Sequence, residues 1–217
     1  MLKKNYPQFF LILGNDDARS EEEAFCRNEK ENLWQYMHLR KTEFEIYSIY
    51  GYSCVPPTPF ALKDWERYDV SRFLDPGAIP PEEGRFSVAL PENESNFPTI
   101  QEDLEKLAGL DALTQAIFLF HSPPYQTHLD RAALDGRLVD NAPLDVHVGS
   151  IAIRRFIETR QPLVTLHGHV HESARLTGSW QEKIGRTFCF SAAHDGPELA
   201  AVCFDPQDPG AAIRHLI

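Results

Sequence analysis

Three short apolar runs constrain the fold of this chain more than any other feature. They lie at residues 9–13, 116–120 and 163–166, and polar, metal-capable residues follow each of them. Strands buried on both faces, as in a parallel sheet, have continuous rather than alternating apolar sequences. Helical patterns alternate with strands in the first half of the chain, and the end is rich in strands. This order predicts an α/β fold.

Local signals predict the remaining elements. Ser20 and Glu23 match a capping box that would open a polar helix running toward Trp34, and Thr99 and Glu102 match another, for a helix at 99–108. Apolar residues at helical spacing predict an amphipathic helix that includes 153–157 and stops at Gln161 and Pro162. Further strands are expected at 44–52, 186–191, 199–204 and 212–217.

The chain is expected to form one domain over residues 1–217, interrupted by a proline-rich excursion at about 55–98. Proline prevents regular ladders there, so this stretch should be a loop with short elements. A loop of this length inside a compact domain is usually functional or mobile. We expect it to shape the pocket.

Composition excludes several classes of protein. The formal net charge of −11 disfavours general nucleic-acid binding, which depends on basic residues. No apolar run approaches the roughly 18 residues of a membrane span, and the first residues do not resemble a secretory signal. The four cysteines are far apart and form no CxxC pair, which indicates a reducing, cytoplasmic setting.

The candidate site residues are those that follow the apolar runs: Asn15 after the first, His121 after the second, and His169 and His171 after the third. Sites in open α/β sheets form beyond the carboxyl ends of the strands, so these side chains converge if the strands are parallel neighbours. Mixed nitrogen and oxygen ligands suit Zn, Mn, Fe or Ni rather than Ca. Taken singly, Asn15 could be a turn residue and His121 could cap its strand. Gly168 should let the chain turn before His169.

With these motifs in order, the chain resembles the calcineurin-like metallophosphoesterases. The resemblance covers nearly the whole chain from Phe9 onward. It is closest to a branch of predicted phosphoesterases that share Gly14-Asn15-Asp16-Asp17, His121-Ser122-Pro123-Pro124-Tyr125, Gly149-Ser150 before a helix, and Gly168-His169-Val170-His171. Each block is weak alone, but together they are specific.

The resemblance implies a sandwich of two sheets flanked by helices. It also implies a hydrolase that cleaves a small phosphomonoester or phosphodiester at two metal ions, Mn, Fe, Zn or Ni. By this similarity Asn15, His121 and His169 would bind one metal and His171 the other. Paired metals organise in-line attack on phosphate and neutralise developing charge.

Two departures from the family pattern change the expectation. The family's Asp-x-His and Gly-Asp blocks are absent, so the chain is expected to lack the fold's first strands, to hold one metal or none, and to have impaired activity. The missing strands should expose a sheet edge through which copies of the chain could associate.

Asp16 stands where most of the family has a histidine, and a carboxylate near metals is a poor proton donor. We therefore expect a catalytic influence of Asp16, with substrates whose leaving group needs little protonation or with His128 as an alternative donor.

Two other functions remain open from the sequence. One is a non-catalytic remnant of the family that binds metal or a partner. The other is a mononuclear hydrolase using Asn15, His121 and His169 with an open position. Several nearby residues have both a functional and an ordinary interpretation. Tyr125, His128 and Trp65 could line a substrate pocket or could equally be packing or surface residues. Asp17 and Glu172 could support the ligand imidazoles or could be solvated loop carboxylates. His167 is expected to point away from the site.

Overall fold

The computed structural model describes residues 7–31 and 33–217. Its helices are α1 (Glu22–Glu29), α2 (Ile100–Ala108), α3 (Ile151–Arg160) and α4 (Ser173–Thr177). Its strands are β1 (Phe10–Leu11), β2 (Gln35–Tyr36), β3 (Arg40–Phe44), β4 (Tyr47–Tyr52), β5 (Ala116–Phe120), β6 (Leu138–Val139), β7 (Ala142–Pro143), β8 (Val164–His167), β9 (Gln181–Ile184), β10 (Thr187–Ser191), β11 (Ala200–Asp205) and β12 (Asp208–Leu216). Short 3-10 turns occupy Arg19–Glu21, Pro81–Glu83 and Glu92–Glu94.

The centre of the fold is a six-stranded sheet in the order β3-β4-β5-β8-β10-β9. Strands β4, β5, β8 and β10 are parallel, and the edge strands β3 and β9 are antiparallel to their neighbours. The α/β prediction is confirmed. The second and third apolar runs form β5 and β8, which are hydrogen-bonded neighbours and therefore end at the same edge of the sheet.

The sheet is covered on both faces. On one face α2 and α3 pack over the aromatic side chains of Phe118 and Phe120, against which Phe156 of α3 lies edge-on. On the other face the hairpin of β11 and β12 packs against the sheet, with Phe204 5.5 Å from Phe190 between ring centroids. Burial on both faces explains the continuous apolar sequences of the central strands.

The prediction for the first apolar run is only partly right. Of residues 9–13, only Phe10 and Leu11 form a strand, β1. This strand pairs in parallel with β2 in a separate two-stranded sheet and is not part of the main sheet. Phe9 is half exposed, whereas Leu13 is buried against the helix side of the core. The chain leaves the ladder after Leu11 because Leu13 and Gly14 pack inward instead of continuing the strand.

Two other local predictions need correction, and one strand of the main sheet was missed. Residues 44–52 are not one strand, since a turn with Glu45 at φ 55° separates β3 from β4. Ser20 does not cap a helix: α1 begins later, at Glu22, without a side-chain cap, and it ends at Glu29. Strand β9 was not predicted, because its sequence is mostly polar and its burial is limited to the antiparallel edge.

Other predictions are confirmed. The capping box at Thr99 and Glu102 is complete in both directions and starts α2. Helix α3 ends where Gln161 adopts the left-handed conformation. The excursion at 55–98 contains only two 3-10 turns and isolated bridges. Within the described residues, no helix is both long enough and apolar enough to cross a membrane.

The excursion buries charged side chains, which its sequence did not indicate. Lys63, Asp64, Glu66 and Arg67 are each at most 2 % exposed. Lys63 pairs with Glu66 at 2.5 Å, while Arg67 pairs with Glu94. Buried charges are tolerated only when they are paired and hydrogen-bonded, so this part of the loop is an ordered unit.

Glu94 gives the fold a specific acid sensitivity. Burial raises the pKa of this carboxyl, but the hydrogen bonds and charges of Arg19 and Arg67 outweigh it and lower the pKa from 4.5 to about 2. Because the pKa is lower in the folded protein, ionised Glu94 contributes its full stabilisation of the fold above about pH 4.5. This stabilisation is lost as the pH falls through about 2. Its full size is about 3 kcal/mol.

We therefore expect Glu94→Gln to lower the free energy of unfolding by several kcal/mol at neutral pH and by progressively less toward about pH 2. Urea titrations of both proteins across this range measure the difference. Taking the difference removes the general loss of stability that other carboxylates cause in acid. A difference that does not change with pH would show that Glu94 is not held ionised by the two arginines.

Candidate metal-binding site

Two neighbouring strands and one turn bring the candidate ligands together. His121 follows β5 directly, and Gly168 and His169 follow β8. The backbone N–H of Gly168 donates to the carbonyl of His121 at 3.0 Å, which continues the contact between the strands beyond the sheet. The turn at Gly14 and Asn15 approaches from β1. Both histidines thus lie at the carboxyl edge of the main sheet, where α/β folds form their sites.

Three donor atoms meet at one point. The side-chain oxygen Oδ1 of Asn15 lies 2.9 Å from Nε2 of His121 and 2.9 Å from Nδ1 of His169. The imidazole centroids are 5.2 Å apart. Because an amide oxygen only accepts hydrogen bonds, both ring nitrogens must donate in this arrangement. A cation at this point would need the lone pairs of these two nitrogens, so each neutral imidazole would carry its single proton on its other ring nitrogen instead.

Both imidazoles are held in the neutral form that ligates metals. Burial lowers the pKa of His121 to about 4, against the opposing charges of Asp16 and Asp17. Burial, helped by the charges of His121 and His171, lowers the pKa of His169 to about 3. At neutral pH the set therefore consists of one carboxamide and two neutral imidazoles, which fits a transition-metal cation.

The backbone makes this convergence possible at two residues. A Cβ on Gly14 would lie 2.5 Å from the ring of His121, so only glycine allows the imidazole to pack over the turn. His169 adopts a left-handed conformation with φ 70°. Gly168 lies at the end of β8 as expected, and the positive φ of the turn lies at the next residue, His169. A strained backbone at a non-glycine residue is frequent at functional sites.

His171 and Asp16 lie near the site without joining the contact set. His171 is exposed, although its charge lowers the pKa of both His121 and His169. Asp16 is exposed and raises the pKa of His121 through its charge. In the described ranges, no group of three or more His, Cys, Asp and Glu side chains is placed to hold a metal. The fit is therefore to one cation, held by an amide and two imidazoles.

Asp17 and Glu172 hydrogen-bond to backbone groups, although the charge of Asp17 also raises the pKa of His121. The carboxylate of Asp17 accepts the backbone N–H of Gly14 at 2.8 Å, and its carbonyl accepts the indole N–H of Trp65 at 2.9 Å. Glu172 accepts the backbone N–H of Ala133 at 3.0 Å. Both residues thus fix loop backbone near the site, which is neither direct support of an imidazole nor simple solvation of a carboxylate.

The other aromatic residues that the sequence suggested for the site, and His167, have hydrogen-bond partners within the fold. His128 lies 2.6 Å from Glu182 of β9, and Tyr125 donates to Asp145 at 2.6 Å. Tyr125 also lines a cavity of about 240 Å³ with Pro56, Pro57 and Phe73. His167 is buried between the carbonyl of Ser122 and the hydroxyl of Thr165, so it does point away from the site.

Sequence reasoning missed the residues that hold the Asn15 turn. Arg19, Asp64 and Glu94 contact one another or the turn from distant parts of the sequence. They carry no motif and no periodicity. The one usable signal was the density of charged residues around Trp65 in a stretch otherwise rich in proline.

Comparisons with known proteins show similarity without naming a function. No protein-family model matches the chain. The uncharacterized protein MJ1162 of Methanocaldococcus jannaschii is 36% identical over 100 residues, which cover 45% of this chain and 40% of that protein. This chain thus matches less than half the length of that curated relative.

Two solved structures share the fold at low sequence identity. One crystal structure has a TM-score of 0.59 at 16% identity, and the similarity covers 95% of this chain and 65% of that chain. The other, the crystal structure of TT1561 of Thermus thermophilus, has a TM-score of 0.50 at 16% identity and covers 95% and 71%. At this identity the similarity concerns the fold alone.

Proposed function

We propose that the chain carries a metal-dependent phosphoesterase site that hydrolyses a phosphomonoester or phosphodiester. The observation that carries this proposal is the meeting of Asn15 Oδ1, His121 Nε2 and His169 Nδ1 at one point beyond the carboxyl ends of β5 and β8. The resemblance of the surrounding motifs to metallophosphoesterases supplies the reaction class.

The residues of the chain hold the cation and leave its charge available. Asn15, His121 and His169 are all uncharged as donors, so a bound divalent ion keeps its full charge for an anionic phosphate, despite the net charge of −11. When bound, such an ion polarises a phosphoryl oxygen and lowers the pKa of water. His171 is the remaining histidine that would face a second ion, and the proposal for this chain requires only one.

Assays with and without metal test this proposal. Metal-stripped protein is titrated with Mn²⁺ by calorimetry, and hydrolysis of bis(p-nitrophenyl) phosphate and p-nitrophenyl phosphate is followed at each metal concentration. We expect saturable binding of about one ion and release of nitrophenol that requires the ion. Asn15→Ala should abolish both, whereas His215→Ala, an exposed histidine on β12, should change neither.

A second candidate is cation binding without turnover, which is favoured because the described residues bring no carboxylate into this donor set to hold a second ion. Three neutral ligands leave the charge of the ion uncompensated and bind it weakly compared with a site containing carboxylates. Saturable Mn²⁺ binding without release of nitrophenol would support this candidate over hydrolysis. No binding at all would contradict both.

Asp16 gives a prediction about substrates. Its carboxylate lies close enough to His121 to act on its pKa, and an ionised carboxylate donates no proton and repels phosphate. We expect Asp16→His to raise the rate of hydrolysis by roughly tenfold or more for esters with poorly acidic alcohols, because an imidazolium can protonate the leaving oxygen. Rates for nitrophenyl esters should change less.

Measurement of kcat/KM across aryl and alkyl phosphodiesters checks this expectation, since the dependence on leaving-group pKa should become shallower in the variant. Asp16→Asn removes the negative charge without adding an acid and serves as the control. If all three proteins show the same slope, Asp16 has no influence on the leaving group.

A further inference from the structure

We propose that the irregular segment 62–95 positions Asn15 for cation binding, through contacts of Asp64, Trp65 and Glu94 with residues 17–20. This inference rests on the assignment of Asn15 as a ligand in the proposed function. It assigns a role to Trp65, Arg19 and Asp64 as positioning residues that act through the turn.

The main sheet places the two histidines but not the asparagine. His121 and His169 follow β5 and β8, whose ladder holds the two strand ends in register. Asn15 follows β1, which pairs only with β2 in a separate two-stranded sheet. Three residues separate Asn15 from Leu11, the last residue of that strand. The position of Asn15 relative to the imidazoles therefore depends on contacts outside the sheet.

Trp65 supplies the contact nearest to Asn15. The turn is closed by the N–H of Asp17, which donates to the carbonyl of Gly14 at 3.0 Å, and by the N–H of Gly14, which donates to the Asp17 carboxylate. The indole N–H of Trp65 donates to the Asp17 carbonyl at 2.9 Å, from a side chain that is 1 % exposed. This bond connects the closed turn to the buried part of the excursion.

Asp64 fixes the next residues along the chain. Its carboxylate accepts the backbone N–H of Arg19 at 2.8 Å and both the N–H and the hydroxyl of Ser87, at 2.9 and 2.6 Å. The Ser87 hydroxyl oxygen in turn accepts the N–H of Ser20 at 2.9 Å. Asp64 is 1 % exposed, so the bonds that its carboxylate accepts are shielded from water on one side and costly to break, whereas the bond between Ser20 and Ser87 lies at the surface.

The side chain of Arg19 completes the attachment. Its guanidinium donates to both oxygens of Glu94 at 2.8 Å and lies over the ring of Trp65, 5.4 Å from the centroid. Arg67 pairs with the same carboxylate from the other side. A bidentate pair of this kind fixes direction as well as distance. Residues 17–20 are thus held from several directions by one segment.

Trp65→Phe tests the proposal, because it removes the indole N–H and keeps an aromatic ring. Trp34→Phe is the matched control: its indole N–H also donates to a backbone carbonyl, but to that of Phe25 at 3.1 Å and not to a residue of the Asn15 turn. The readouts are Co²⁺ affinity by visible absorption and backbone hydrogen exchange of Gly14 and Asp17, both measured on the full chain. Ser87→Ala is a milder variant should Trp65→Phe fail to fold.

We expect Trp65→Phe to weaken Co²⁺ binding about tenfold, as for the loss of one buried hydrogen bond. Exchange at Gly14 and Asp17 should be faster, and exchange at Gly168 unchanged. Trp34→Phe should leave all three unchanged, and Ser87→Ala should weaken Co²⁺ binding by about threefold. Unaltered affinity and exchange in Trp65→Phe would overturn the proposal, as would equal losses in the two tryptophan variants. If the unaltered chain binds no Co²⁺, the proposed function fails, and the exchange at Gly14 and Asp17 then decides whether Trp65 holds the turn.

Discussion

Replacing His169 with glycine is expected to remove cation binding with less loss of stability than replacement with alanine. His169 supplies one of three donor atoms, and its Nδ1 lies 2.9 Å from Asn15. Partners that only support a metal ligand already contribute 10–100-fold in affinity, so loss of the ligand itself should weaken Mn²⁺ binding by about 100-fold or more. Calorimetric titration of metal-stripped protein measures the change.

The backbone makes glycine the right replacement here. His169 has a φ of 70°, a conformation that costs a non-glycine residue about 1–2 kcal/mol. His169→Gly relieves this cost, whereas His169→Ala keeps it and also loses the imidazole. We expect the glycine variant to unfold at an equal or higher urea concentration than the alanine variant, with the same loss of affinity. An affinity that survives in either variant would exclude His169 as a ligand.

Replacing Gly14 with alanine should have the largest combined effect on stability and binding. The added Cβ would lie 2.5 Å from Cε1 of the His121 ring, a distance that real Cβ atoms do not adopt. The ring cannot stay where it is, and His121 would lose its contact with Asn15 Oδ1. Overpacking of this kind costs about 1–3 kcal/mol, or roughly 3–10 °C in Tm for a chain of this size.

Two companion variants show whether this clash is the cause. Gly168→Ala places a Cβ near the same ring but at 3.5 Å, an ordinary contact, so it should change stability and Mn²⁺ affinity little. In Gly14→Ala with His121→Ala the clash is absent, and the pair of substitutions should cost less than the sum of the two alone. Thermal unfolding of the unaltered protein, the Gly14→Ala and His121→Ala variants and the double variant measures this coupling. Additive losses would mean that Gly14 matters for its own backbone freedom rather than for the imidazole.

The sequence by itself determined the elements whose signals are local. The apolar runs at 116–120 and 163–166 are β5 and β8, because strands buried on both faces must be apolar throughout. Thr99 and Glu102 set the start of α2, because a capping box satisfies the first free N–H groups of a helix from within four residues. Residues that follow such strands fall at one sheet edge, which is why His121 and His169 were correctly expected to meet.

The tertiary structure alone decided how Asn15 reaches them. An apolar sequence at 9–13 is compatible with a central strand, yet β1 pairs outside the main sheet. Likewise, no local pattern shows that Asp64, Glu94 and Arg67 are buried. A charged side chain can be buried only with a partner. Such partners can lie far apart in the sequence, as Arg19 and Glu94 do at a separation of 75 residues. Local propensity is a property of neighbouring residues, whereas the pairing of buried polar groups is a property of the assembled fold.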